Sequence, residues 1–115
     1  MTGFFSRLRG SKAADETGWI EPSDLAAHVL DALIVDVRGP GEFTGPLGHI
    51  DGARNIPLDT LASETDALLR HQGPIVLVCH TDRRSAAAAA HLRQAGATDI
   101  AVLRGGMVAW RSAGR

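Results

Sequence analysis

The chain has only one cysteine, Cys79, in 115 residues, so it cannot close an internal disulfide and its fold needs no oxidising compartment. It has no apolar run near the ~20 residues that cross a bilayer, which excludes stable membrane insertion through a helix. Excess charge is also missing. A net charge of −1 offers no bulk attraction to nucleic acid, and no nucleic-acid partner is expected. Lysine is nearly absent, with Lys12 alone against eleven arginines, a compositional habit that carries no functional weight. The first ten residues set Phe4, Phe5 and Leu8 beside Arg7 and Arg9, without the roughly 7–15-residue apolar core of a secretory signal. The expected location is therefore cytoplasmic, with a weak amphipathic membrane contact as the alternative use of this segment.

What is present is enough for one compact domain. Hydrophobic residues make up 44% of the chain, as in a folded soluble protein. Residues 1–17 read as a flexible tail, because Gly3, Gly10 and Ser11 interrupt them and Lys12–Thr17 has no apolar period. From residue 18 to 115, short apolar runs alternate with helical patterns. Trp19–Ile20 reads as a short edge strand. Pro22 sits at a helix start, followed by Leu25, His28 and Val29 at helical spacing. Leu33–Val35 is a buried strand ended by Asp36, and a loop rich in Gly and Pro runs from Gly39 to Gly48. Ala53–Ile56 is another short strand, and Leu58, Leu61, Leu68 and Leu69 mark a helix. Ile75–Val78 is four apolar residues in a row, the pattern of a strand buried on both faces. Ser85–Ala95 is a helix through five alanines with a Gly96 stop. Ile100–Leu103 is the last strand, and Gly105–Gly106 opens a final turn of helix through Trp110. This alternation predicts an α/β fold, a parallel sheet with helices on both faces and right-handed crossovers.

Ligands of such folds bind beyond the carboxyl ends of the strands. Cys79 stands there, at the end of the strongest strand, and a helix starts about five residues later. The short connection Cys79-His80-Thr81-Asp82-Arg83-Arg84-Ser85 must curl, turning backbone N–H groups inward to form an anion nest. A thiolate there gains from those N–H groups, the helix dipole and two arginines, the influences that make a cysteine nucleophilic. The competing reading is that Cys79 is the last core residue of its strand, since free cysteine packs as a small hydrophobe. His28, His49, His71, His80 and His91 show no close paired spacing, and no metal site or cofactor is expected. His49 reads as a buried hydrogen-bonding residue. His80 borders the nucleophile, where it either tunes the thiol or is simply exposed. Arg38 and Glu42, four apart, are expected to pair and brace the loop, and Asp36 to order nearby backbone. Trp19 and Trp110 are expected to pack in or near the core.

Four stretches together resemble the rhodanese family. They are Asp36-Val37-Arg38 with Glu42-Phe43; Gly48-His49-Ile50-Asp51-Gly52-Ala53-Arg54-Asn55-Ile56-Pro57, with Asp51 where proline is usual; the Cys79 loop; and Leu103-Arg104-Gly105-Gly106-Met107-Val108-Ala109-Trp110. The resemblance covers residues 18–115 and implies a rhodanese-type parallel sheet flanked by helices. It further implies a sulfurtransferase that forms a persulfide on Cys79, taking sulfane sulfur from a small anionic donor such as thiosulfate. Cyanide or a thiol, small-molecule or protein, would be the acceptor. Cys79 would be catalytic, with His80, Thr81, Asp82, Arg83, Arg84 and Ser85 binding substrate, and Arg83 and Arg84 attracting the anion. Asp82 departs from the family's usual glycine. An aspartate tolerates a left-handed backbone and can cap the following helix, but its charge sits where an anion should bind. The alternative is a non-enzymatic sulfur relay or regulatory module acting with a protein partner. The fold is also similar to dual-specificity phosphatases and arsenate reductases, which need arginine six positions after the cysteine. Here that position is Ser85, and this reading is the weakest.

Overall fold

The computed structural model describes residues 18–115; the tail expected over 1–17 lies outside them. The elements follow in chain order: β1 (Trp19–Ile20), α1 (Pro22–Ala27), β2 (Leu33–Asp36), α2 (Pro40–Phe43), β3 (Arg54–Asn55), α3 (Leu61–Leu69), β4 (Ile75–Val78), α4 (Arg83–Gln94), β5 (Ile100–Leu103) and α5 (Gly106–Ser112). Single 3₁₀ turns at Val29–Asp31 and Leu58–Thr60 follow α1 and precede α3. The five strands form one parallel sheet in the order β1-β5-β4-β2-β3, which puts β4 at its centre and β1 at an edge.

The period-2 alternation of the strands separates two cores. Val76 and Val78 face α1 and α5, in a cluster with Ile20, Leu25, Ile34, Ala101, Leu103, Met107 and Trp110. Ile75, Leu77 and Cys79 face the other way, against α3 and α4, with Val35, Val37, Leu61, Leu68, Ala88, Ala89 and Leu92. Ala88 and Ala89 are fully buried, so the alanine run does bring α4 close to the sheet. Trp110 belongs to the first core, and Trp19 packs at the border of the second beneath the Arg104 guanidinium. The expected α/β architecture, a parallel sheet with helices on both faces, is the one observed.

Two boundaries differ in ways that matter. The Gly39–Gly48 loop contains the helical turn α2, started by Pro40 at its first position, where a missing N–H costs nothing. Helix α4 starts two residues before Ser85, so Arg83 and Arg84 occupy its first turn. Two cations there oppose the helix dipole. At its other end, Gly96 at φ +114 closes α4 as expected: the Gly96 and Ala97 amides donate back to Arg93 and Leu92.

Candidate active site

Register fixes where the cysteine emerges. β2 pairs with β4 through Asp36 opposite Val78, and the Val37 amide donates to the Val78 carbonyl at 2.8 Å. Cys79 is the next residue, at the carboxyl end of the central strand and almost completely buried. Its Sγ accepts the Ser85 amide at 3.3 Å and lies 3.3 Å from the Ser85 hydroxyl, which also reaches the Asp82 carbonyl at 3.2 Å. The core reading of Cys79 is therefore true of its packing and incomplete about its polar contacts. Sulfur and the first turn of α4 are already joined.

The loop between them is held by its carbonyl groups. The first amides of α5 donate to it, Met107 to the Cys79 carbonyl at 2.9 Å and Val108 to the His80 carbonyl at 3.1 Å. With the carbonyls so engaged, the N–H groups of His80 through Arg84 have no protein acceptor among the described residues. Five such donors in the loop that follows a buried sulfur are the raw material of an anion nest. Gly106 makes the seat possible: at φ +57, a Cβ there would collide with the carbonyl oxygens of Cys79, His80 and Thr81. Residue-type reasoning took Gly105–Gly106 only as a helix start. Their role in seating the loop depends on a contact about 25 residues away in sequence and is invisible to local pattern.

The loop side chains diverge. His80, Thr81 and Arg83 are exposed, Asp82 and Arg84 are half-buried, and Ser85 is fully buried. Asp82 neither adopts a left-handed backbone, at φ −149 and ψ 4, nor caps α4 with its side chain. Its Oδ2 instead accepts the Gly105 amide at 3.1 Å, tying the loop to the start of α5. That amide lies at the N-terminus of α5, where it has no helical partner of its own, and the carboxylate satisfies it.

The expected Arg38–Glu42 pair does not form. Arg38 is buried and folds back on Asp36, with Nε 2.9 Å from Oδ1 and Nη2 2.7 Å from Oδ2. It donates further to the carbonyls of Glu42 at 3.1 Å and Gly48 at 2.6 Å, so it does brace the loop, but through backbone. Burial explains the choice, since a buried guanidinium needs a buried counter-charge, and Asp36 is fully enclosed. Asp36 also accepts the Arg38 amide at 3.1 Å, ordering backbone as expected. Glu42 points to the active-site loop, and its carboxylate takes both terminal nitrogens of Arg84, at 2.7 and 2.9 Å. That bond to Arg84 is the main reason its carboxyl titrates at about 2, outweighing partial desolvation, with the Gly39 amide adding to the effect. The Arg84 guanidinium is correspondingly raised, chiefly by Glu42, with a smaller contribution from charge on Cys79. His49 makes the expected hydrogen bond, donating from Nδ1 to the Phe43 carbonyl at 2.8 Å and stacking on the Phe43 ring, but it is half-buried rather than buried. Among the described residues no three His, Cys, Asp or Glu side chains gather into a metal-binding group. No helix among them is long and apolar enough to cross a membrane.

Fold and site together define a parallel α/β domain that presents one cysteine in an amide-rich loop at the carboxyl edge of its sheet. The rhodanese-like domain model matches residues 21–113, and the chain belongs to that family. It is 46% identical over 87 residues to the uncharacterized protein YqhL of Bacillus subtilis, covering 76% of this chain and 67% of that one. It is 38% identical over 81 residues to the thiosulfate sulfurtransferase GlpE of Pseudomonas aeruginosa, covering 70% and 71%. Among solved structures, a rhodanese-related protein of Thermoplasma volcanium superposes with a TM-score of 0.74 at 31% identity, covering 84% of this chain and 92% of that one.

Proposed function

We propose that this protein is a sulfurtransferase that carries sulfane sulfur as a persulfide on Cys79. The observation that supports this most is the amide of Ser85 on Sγ, backed by loop N–H groups without protein acceptors. They suit a small anionic sulfur chain in place of a bulky side chain. In the first step the Cys79 thiolate attacks the outer sulfur of a donor such as thiosulfate. A new S–S bond forms, the donor's S–S bond breaks, and sulfite leaves with the electron pair. In the second step a thiolate or cyanide attacks the terminal sulfur, and the Cys79 thiolate is the leaving group. His80, Thr81 and Arg83 line the exposed rim, Ser85 holds the sulfur, and Asp82 positions the loop.

Ser85 supports both charge states of the sulfur. Its hydroxyl carries one proton and faces two acceptors, the Asp82 carbonyl and Sγ. With a thiol, S–H donates to Oγ and the hydroxyl donates to Asp82. With a thiolate, the hydroxyl turns to Sγ and adds to the amide bond. Phosphatase chemistry is disfavoured, because Arg84, the nearest arginine to the position that would hold an oxyanion, is forked to Glu42.

Intact-mass analysis tests the proposal. Mixing with a sulfane donor should add one sulfur, removable by cyanide or reductant, and Cys79→Ser should add none. If no donor adds mass to Cys79, the enzyme reading fails and a binding or regulatory module remains. Transfer to a protein thiol but to no small acceptor would identify a relay.

A further inference from the structure

The two loop arginines are not equivalent. Arg83 is exposed and has no ion pair or side-chain hydrogen bond among the described residues. Arg84 gives both terminal nitrogens to Glu42. Glu42 is fixed from behind: its Oε1 also accepts the Gly39 amide at 3.1 Å, and its carbonyl accepts buried Arg38. The guanidinium therefore comes to the carboxylate rather than the reverse. Exposed ion pairs are weak in general, but a two-pronged fork on a backbone-anchored acceptor holds its geometry. Glu42 and Arg84 also border, with Asp59 and the apolar Val37, Pro57 and Leu58, an open hollow of about 420 Å³ whose second carboxylate adds to the negative charge an anion meets there.

The charged side chains of the loop and of its Glu42 partner then cancel. Arg83 and Arg84 are offset by Glu42 and Asp82, leaving the thiolate and, across the hollow, Asp59 as net negative charge. A dianion meets no net attraction at such a mouth, and a monoanion meets half the repulsion. We propose that Glu42 is a specificity-determining residue: by holding Arg84 in a bidentate pair, it withholds that cation from the donor and biases Cys79 toward sulfur donors of low negative charge over the thiosulfate dianion. Monoanionic thiosulfonates and small persulfides are the favoured class. This rests on the sulfurtransferase reading of Cys79.

The test compares thiosulfate with benzenethiosulfonate, which delivers the same sulfur and releases a monoanionic sulfinate. Initial rates of Cys79 persulfide formation are followed by intact mass at low ionic strength. Glu42→Gln keeps an acceptor for the Gly39 amide while releasing Arg84. Its rate constant should rise roughly tenfold with thiosulfate and about threefold with the thiosulfonate, because the Coulomb energy scales with donor charge. High salt should erase the difference, and adding Arg84→Ala to Glu42→Gln should abolish the gain. An unchanged ratio of the two donors in Glu42→Gln, or a gain that survives Arg84→Ala, overturns the inference while leaving the sulfurtransferase reading intact. If neither donor forms a persulfide on the unmodified chain, both fall together.

Discussion

Replacing Asp82 separates two effects that meet in one carboxylate: a hydrogen bond that anchors the loop and a negative charge on the loop proposed to receive the donor. Its Oδ2 accepts the Gly105 amide at 3.1 Å, long for a charge-assisted bond, so the anchor belongs at the lower end of the range for ionised partners. Asp82→Ala removes it and leaves a partly buried N–H unpaired, at a cost of about 1–2 kcal/mol. For a domain of this size that lowers the melting temperature by roughly 4–16 °C. Asp82→Asn keeps an amide oxygen for the same N–H and should cost under about 1 kcal/mol. Both variants remove the charge. A unit charge ~7 Å from a dianion at a dielectric of ~80 amounts to about 1.2 kcal/mol, or roughly sevenfold in the rate with thiosulfate. Asn should therefore gain rate at little loss of stability, whereas Ala loses stability and keeps the gain only if the loop stays seated. Glycine offers no relief, because Asp82 at φ −149 is not left-handed. Thermal melts and persulfidation rates at low salt decide the matter. Equal destabilisation by Asn and Ala would refute the anchor, and an unchanged Asn rate would show that the charge does not reach the donor.

Gly106→Ala should cost about 2–4 kcal/mol and abolish persulfidation, because its Cβ would meet three loop carbonyls in addition to the strain of φ +57. Gly96→Ala, at φ +114 with open space around it, should cost about 1 kcal/mol and leave sulfur transfer intact. Similar losses in urea midpoint for the two would refute the collision. The Glu42 carboxyl falls from 4.5 to about 2 on folding, so the stability it contributes is complete above pH 4.5 and disappears as pH falls to about 2. With its side chain 41% exposed, that contribution is below about 1 kcal/mol. The urea-midpoint difference between the parent and Glu42→Gln should therefore shrink between pH 6 and pH 2.5, and a constant difference would show that the pair adds no stability.

Much of this was legible locally. Four apolar residues before Cys79 specify a strand buried on both faces, and the alanine run specifies a helix lying close to it, since each follows from side-chain size and period alone. The place of Cys79 at a strand end, with basic residues leading the next helix, marked a candidate site without any tertiary information. Spacing misled where it was given a helical meaning outside a helix. Arg38 and Glu42 are four apart, but Arg38 precedes α2, so the rule that joins such neighbours did not apply. Asp82 was a sensible cap by composition, yet an amide from α5 competed for it and won.

By itself the sequence determined where the strands and most of the helices run, though not the turn α2, that they alternate into a parallel sheet, and that one thiol ends the strongest strand. Those properties depend on neighbours within a few residues. Only the tertiary structure decided which charges and amides pair around the Cys79 loop. Glu42 lies 42 residues from Arg84, and Gly105 lies 23 from Asp82. No local period encodes such pairs. They exist because the parallel sheet brings the ends of β2, β4 and β5 together, and burial then fixes which cation each carboxylate can reach.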